Sequence, residues 1–217
     1  MDEARGYLDL DRRIARFLQK EGNIAISFGG LLNDELAVNC KDNEKLLQAY
    51  ESVLDRYQID TIDFDIEGDA LSDTNSIIRR AEVVAQLQAK RWSEGKNLAV
   101  WLTLPVAPSG LTTDGTDAIA QMLKAKVDLS GVNVMTMDYG QSKDTNQSMS
   151  EASRRALIET HRQLGILYKQ AGINLSDVSL WSKIGATPMI GQNDIAGEIF
   201  SLEDAEIFNK FALSKKI

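Results

Sequence analysis

The sequence carries one cysteine, Cys40, and one histidine, His161, in 217 residues. A lone thiol excludes an intramolecular disulfide, so the core alone must hold the fold. A lone imidazole, set between Thr160 and Arg162 in a helical-looking stretch, removes His-based triads and His-rich zinc sites. No apolar run approaches the ~20 residues that span a bilayer, and no charged-then-apolar leader opens the chain. The expectation is a soluble segment, mature or excised, without a signal peptide and without a membrane partner. Gly29-Gly30 lacks both the third glycine of a dinucleotide fingerprint and the Lys-Ser/Thr ending of a phosphate loop. Clustered basic residues are also missing, and 24 Lys and Arg against 32 Asp and Glu leave a net charge of −8. That balance argues against a nucleic-acid partner, because phosphate binding depends on grouped Lys and Arg. A neutral or weakly basic ligand fits better.

What is present is an ordinary globular composition, 43% hydrophobic and 26% charged, long enough for one sizeable core and short for two. Residues 1–217 are therefore read as one domain. Apolar positions at 10, 14, 17 and 18 predict a first helix, and those at 46, 47, 50, 53 and 54 a second over residues 43–57. Further helices are predicted over 73–92, 114–126, 150–170 and 202–212, and strands over 23–30, 61–67, 97–104, 132–137 and 178–186. Five strands, each followed by a helix, imply parallel βαβ units of an α/β fold. Several predicted strands end in polar or glycine-rich turns on one common edge, as in a (β/α)8 TIM barrel, although an open doubly wound sheet also gathers ligands there.

The chain is most unusual at Asp60-Thr61-Ile62-Asp63-Phe64-Asp65-Ile66-Glu67-Gly68, where four acids fall within eight residues. As a strand, this stretch puts Asp63, Asp65 and Glu67 on one face and Ile62, Phe64 and Ile66 on the other. Like charges at successive same-face positions repel. In a cleft, that repulsion and burial keep one carboxyl protonated near neutrality, as a general acid requires. A solvated edge strand would show the same alternation.

The spacing Asp-x-x-Asp-x-Asp-x-Glu, met by Asp60, Asp63, Asp65 and Glu67, resembles the signature of glycoside hydrolase family 18, the chitinase family. Ser27-Phe28-Gly29-Gly30 resembles the family's third-strand motif, Thr103-Leu104-Pro105 its fifth strand, Val134-Met135-Thr136-Met137-Asp138-Tyr139 its sixth and Gly185 to Asp194 its seventh; the combination looks most like a bacterial-type subgroup. The resemblance implies a TIM barrel that is incomplete here, with about five parallel strands, lacking the first two and the last.

It also implies cleavage of β-1,4 bonds between N-acetylglucosamine units with retention, the substrate's acetamido group serving as nucleophile. No metal or other cofactor is implied. Glu67 then acts as acid and base, Asp65 accepts the acetamido N–H, and Asp63 shares a proton with Asp65. Asp138, Tyr139, Met135, Gly30, Ser27 and Gln192 are the implied substrate contacts, and chitin or chito-oligosaccharide the partner. Asp138 and Gln192 also suit turn capping, and Asp63 a structural pairing with Ser27. The tyrosine stands one residue later than in many members, and such a shift turns a strand side chain to the opposite face. Two rivals remain at this point. One is a non-catalytic chitin-binding or inactive segment; the other is an endo-β-N-acetylglucosaminidase. The parent protein is expected to be secreted, and strand edges left open by absent strands to promote self-association.

Overall fold

Five parallel strands carry the fold: β1 (Ala25–Gly29), β2 (Thr61–Asp65), β3 (Ala99–Ala107), β5 (Leu129–Met135) and β6 (Ile184–Thr187). In this computed structural model, which describes residues 9–217, they lie side by side in the order β1-β2-β3-β5-β6. Strand order follows chain order, as successive βαβ units produce. β1 and β6 each pair on one side only among the described residues. The helices are α1 (Leu10–Leu18), α2 (Leu36–Asn39), α3 (Asn43–Tyr57), α4 (Gly68–Ser72), α5 (Thr74–Ser93), α6 (Thr113–Lys124), α7 (Met149–Gln170), α8 (Asp177–Trp181) and α9 (Leu202–Lys215). Thus the expected incomplete barrel of about five parallel strands is present.

The alternation of each strand explains the two faces of the sheet. Phe28, Ile62, Phe64, Ile66, Val100, Leu102, Leu104, Val132 and Val134 are buried against the helices. Phe28, Tyr50 of α3 and Phe64 form an aromatic cluster, with Tyr50 edge-on to both phenylalanines at 5.2 and 5.3 Å. On the opposite face Asp63, Asp65, Trp101, Thr103, Asn133 and Met135 are half-buried, and Ser27 and Thr187 exposed. Side-chain caps set several helix starts: Asp73 accepts the N–H groups of Asn75 and Ser76, and Ser201 forms a capping box with Asp204.

Four sequence expectations need correction. The acidic strand ends at Asp65, so Glu67 lies just past it, at the N-terminal boundary of α4. β3 does not stop before Pro105 but runs through it to Ala107 and folds back on β4 (Gly110–Leu111). β2 has ended opposite Thr103, so the N–H that proline lacks faces no β2 partner, as on an edge. β5 begins at Leu129 and ends at Met135, earlier at both ends than expected. Residues 178–181 are not strand but helix α8, capped by Ser176, because a short apolar run fits either period. Trp181 consequently stacks on His161 with ring centroids 4.2 Å apart, inside the helical layer. The stretch after β6, for which the sequence predicts no element, forms a small hairpin, β7 (Gly191–Gln192) with β8 (Ile199–Phe200).

Candidate active site

Parallel pairing brings the carboxyl ends of β1, β2, β3 and β5 to one edge, where the acidic residues sit. Asp63 and Asp65 alternate with buried Ile62, Phe64 and Ile66, so the apolar side of β2 fixes which way the acids point. Asp63 is filled on both oxygens: Ser27 Oγ donates to Oδ2 at 2.5 Å and Thr103 Oγ1 to Oδ1 at 2.9 Å. Asp65 is the opposite. Its Oδ1 is buried and has no hydrogen-bond partner among the described residues. Burial, then the charges of Glu67 and Asp63, push the Asp65 carboxyl up to about 6. Glu67 is half-buried, and its carboxylate has no hydrogen bond or ion pair to the described residues.

The raised Asp65 carboxyl has a consequence for stability. The folded chain holds this proton more tightly than the unfolded chain, whose ordinary value is near 3.8, so the stabilisation is complete below about pH 4 and lost as pH rises through about 6. Asp65→Asn removes the charged form. Thermal unfolding is expected to show the variant more stable than wild type at pH 7, by on the order of 1 kcal/mol after discounting for partial exposure, and level with it at pH 4.

The wall beside Asp65 is built from Gly29 and Gly30. Gly29 has φ of 110°, and a Cβ there would come 2.1 Å from the Asp65 carbonyl oxygen. Only glycine allows that approach. Gly30, with φ of 90°, donates its N–H to the same carbonyl at 2.9 Å, and a Cβ on it would lie 3.8 Å from Asp65 Oδ2. Met135, the last residue of β5, shares the inner face with Asn133. Ser27, Gly30 and Met135 therefore stand with the acidic cluster.

The other expected contacts are otherwise engaged. Tyr139 is buried, donates its hydroxyl to Ser153 of α7 at 3.0 Å, and belongs to the core; burial pushes its phenol well above the usual range. The cause is the early end of β5 followed by left-handed Asp138, with φ of 48°, which turns the next side chain toward the helices. Asp138 Oδ1 accepts the N–H of Ile195 at 3.1 Å. Its own N–H donates to Asn193 Oδ1, while buried Glu198 accepts the N–H groups of Tyr139 and Gly140. Those bonds clamp the β5 exit to the β7–β8 hairpin. Gln192 spends its amide on the carbonyls of Asn193, Ile195 and Glu198, a turn role within the hairpin. Asp60 starts β2, its carbonyl accepting the N–H of Ala99.

Sequence reasoning passed over four residues. Thr103 and Asn133 project to the acidic face from strands that are otherwise apolar, and that alternation was the available signal. Glu35 and Arg80 offered none. Buried Glu35 accepts from Ala37 N, from Arg80 Nε at 2.8 Å and from the Tyr50 hydroxyl, anchoring the loop that leaves Gly30. Arg80 Nη2 lies 2.7 Å from the same carboxylate without hydrogen-bond geometry, and Nη1 has no hydrogen-bond partner among the described residues. Trp101 lies on the inner face, its ring over Gly131, where a Cβ would come 2.4 Å from it. Cavities open elsewhere too, one of about 560 Å³ between α1 and α3 lined by Ile14, Leu18 and Arg56. The acids sit apart from it, on the open sheet face. Among the described residues no cluster of His, Cys, Asp and Glu is arranged to hold a metal ion, and no helix is long and apolar enough to cross a membrane.

No protein-family model matches the chain. Over 211 residues, 94% of its length, it is 38% identical to the probable bifunctional chitinase/lysozyme of Escherichia coli (strain K12) and 37% identical to endochitinase 11 of Metarhizium anisopliae. It spans 23% of the first relative and 40% of the second. Among solved structures, the catalytic domain of a hyperthermophilic chitinase from Pyrococcus furiosus superposes with a TM-score of 0.82 at 30% identity, over 95% of this chain and 63% of that one.

Proposed function

Since the chain is a chitinase-like domain of glycoside hydrolase family 18, we propose that it hydrolyses β-1,4 bonds between N-acetylglucosamine units of chitin or chito-oligosaccharides, with Glu67 as general acid and base. One observation carries the reading: beside Glu67, Asp65 presents a buried oxygen without a partner on a carboxyl raised to about 6. An orphan acceptor of that kind suits the N–H of an acetamido group, since burying it unpaired costs free energy. Glu67, just past the strand and without an ion pair to the described residues, gives its proton to the leaving oxygen and then takes one from water. The acetamido oxygen attacks the anomeric carbon, and Asp65 steadies the positive charge that develops on the acetamido nitrogen. Asp63, fixed by Ser27 and Thr103, adds the negative field that raises Asp65. Ser27, Gly30 and Met135 line the sugar's path, and Asp138 shapes its far side through the hairpin. No metal or cofactor is required. A polymer this large is met outside the cell, which places the parent protein there. The edges of β1 and β6 that no described strand pairs are the surfaces through which the segment would self-associate.

Anomer-resolved NMR during cleavage of chitohexaose tests the mechanism. Two displacements at one carbon give the β-anomer at the new reducing end before mutarotation. Initial α-anomer would exclude the substrate-assisted route, and cleavage of N-glycans without cleavage of chitohexaose would move the activity to an endo-β-N-acetylglucosaminidase.

A further inference from the structure

A row of hydrogen bonds crosses the inner face of the sheet from β1 to β6 through five side chains, the middle three of which alternate with buried apolar ones. Ser27 and Thr103 donate to the two oxygens of Asp63, and Asn133 Nδ2 donates to Thr103 Oγ1 at 3.1 Å. The same nitrogen lies 2.8 Å from Thr187 Oγ1, whose hydroxyl stands 3.1 Å from Asn133 Oδ1. We propose that Asn133, acting through Thr103, is a positioning residue of the acidic cluster: it fixes the direction of this row, so that Asp63 accepts on both oxygens and the exchangeable proton is left to Asp65. The proposal rests on the hydrolase reading above and adds how that cluster is held in one protonation pattern.

The direction follows from counting protons. A threonine hydroxyl has one, and Asp63 takes the one on Thr103. Thr103 can then only accept from its other neighbour, which must present an N–H. Asn133 supplies it, and Thr187 bonds the far side of the same carboxamide. With the carboxamide reversed, Oδ1 would face Thr103 and compete with Asp63 for the single proton. An added proton near neutral pH thus meets occupied oxygens on Asp63 and the unpartnered Oδ1 on Asp65. Neither Thr103 nor Asn133 needs to touch substrate for this.

The test is a pH titration of the folded chain labelled with ¹³C at the aspartate carboxyl carbons, for wild type, Thr103→Val, Thr103→Ser and Asn133→Asp. Val keeps the shape of Thr without its proton, Ser restores the hydroxyl, and Asp in place of Asn133 offers Thr103 an acceptor. In wild type the Asp65 carbon is expected to carry a full step near pH 6. In Thr103→Val and Asn133→Asp that step falls to about half or less of its wild-type size as the proton spreads over the coupled pair, and Thr103→Ser recovers it. A full, unmoved step in the substituted chains, or none on Asp65 in wild type, would overturn the proposal. Native amide spectra check folding, and if one variant fails to fold the other decides. Hydrolysis measured on the same samples separates the two claims: the titration pattern without turnover would count against the hydrolase reading alone.

Discussion

Arg80→Met is expected to cost about 3–5 kcal/mol of folding stability, because it leaves the Glu35 carboxylate buried without its cation. Arg80 and Glu35 are 0% and 1% exposed, so water cannot replace the lost partner. The Tyr50 hydroxyl and the Ala37 N–H remain as donors, which keeps the loss short of full desolvation. Tyr50 is itself held with its phenol pushed far up, by burial first and then by the Glu35 charge. For a chain of this size the melting temperature should fall by roughly 10 °C. Adding Glu35→Leu to Arg80→Met should recover a large part of the loss, since an apolar pair replaces a broken ionic one; a double variant no more stable than the single one would show that the pair is not what Arg80 contributes. The ion pair matters for the site because Glu35 ends the loop that begins at Gly29 and Gly30, against the Asp65 backbone.

Glu67→Gln is expected to lower kcat by about 10²- to 10⁴-fold, the usual contribution of a positioned general acid. Gln keeps the size of the side chain and removes only its proton chemistry. Glu67 is half-buried and carries no ion pair or hydrogen bond to the described residues, so stability should change little, and a thermal melt separates lost chemistry from lost fold. Binding of chito-oligosaccharide should survive the change.

Much of this site was legible in the sequence because its key segment is local. The alternation over residues 61–67 placed Asp63 and Asp65 on one face, and the structure keeps them there. Cap residues such as Asp73 and Ser201 act within three positions of the helix they start, so they too were readable. What escaped depends on which strand lies beside which. The contact of Thr103 with Asp63 needs the β2–β3 pairing, and that of Asn133 with Thr103 the β3–β5 pairing. Likewise, Arg80 meets Glu35 across 45 residues of chain. Tyr139 was misplaced for a smaller reason: β5 ends at Met135, and one left-handed residue at Asp138 then sends the tyrosine into the core. Strand ends and single backbone turns leave weak local signals, whereas seven residues of alternating charge leave a strong one.

If Glu67 and its neighbouring carboxylates form a working glycosidase centre, release of product must depend on the Glu67 proton. Release of the chromophore from a chromogenic chitobioside, measured side by side for the chain and its Glu67→Gln variant at matched folded concentration, tests it most directly. Steady release by the chain is expected, with a loss of about 10²-fold or more in the variant. Equal release by both, or none by either while chito-oligosaccharide still binds, would contradict it.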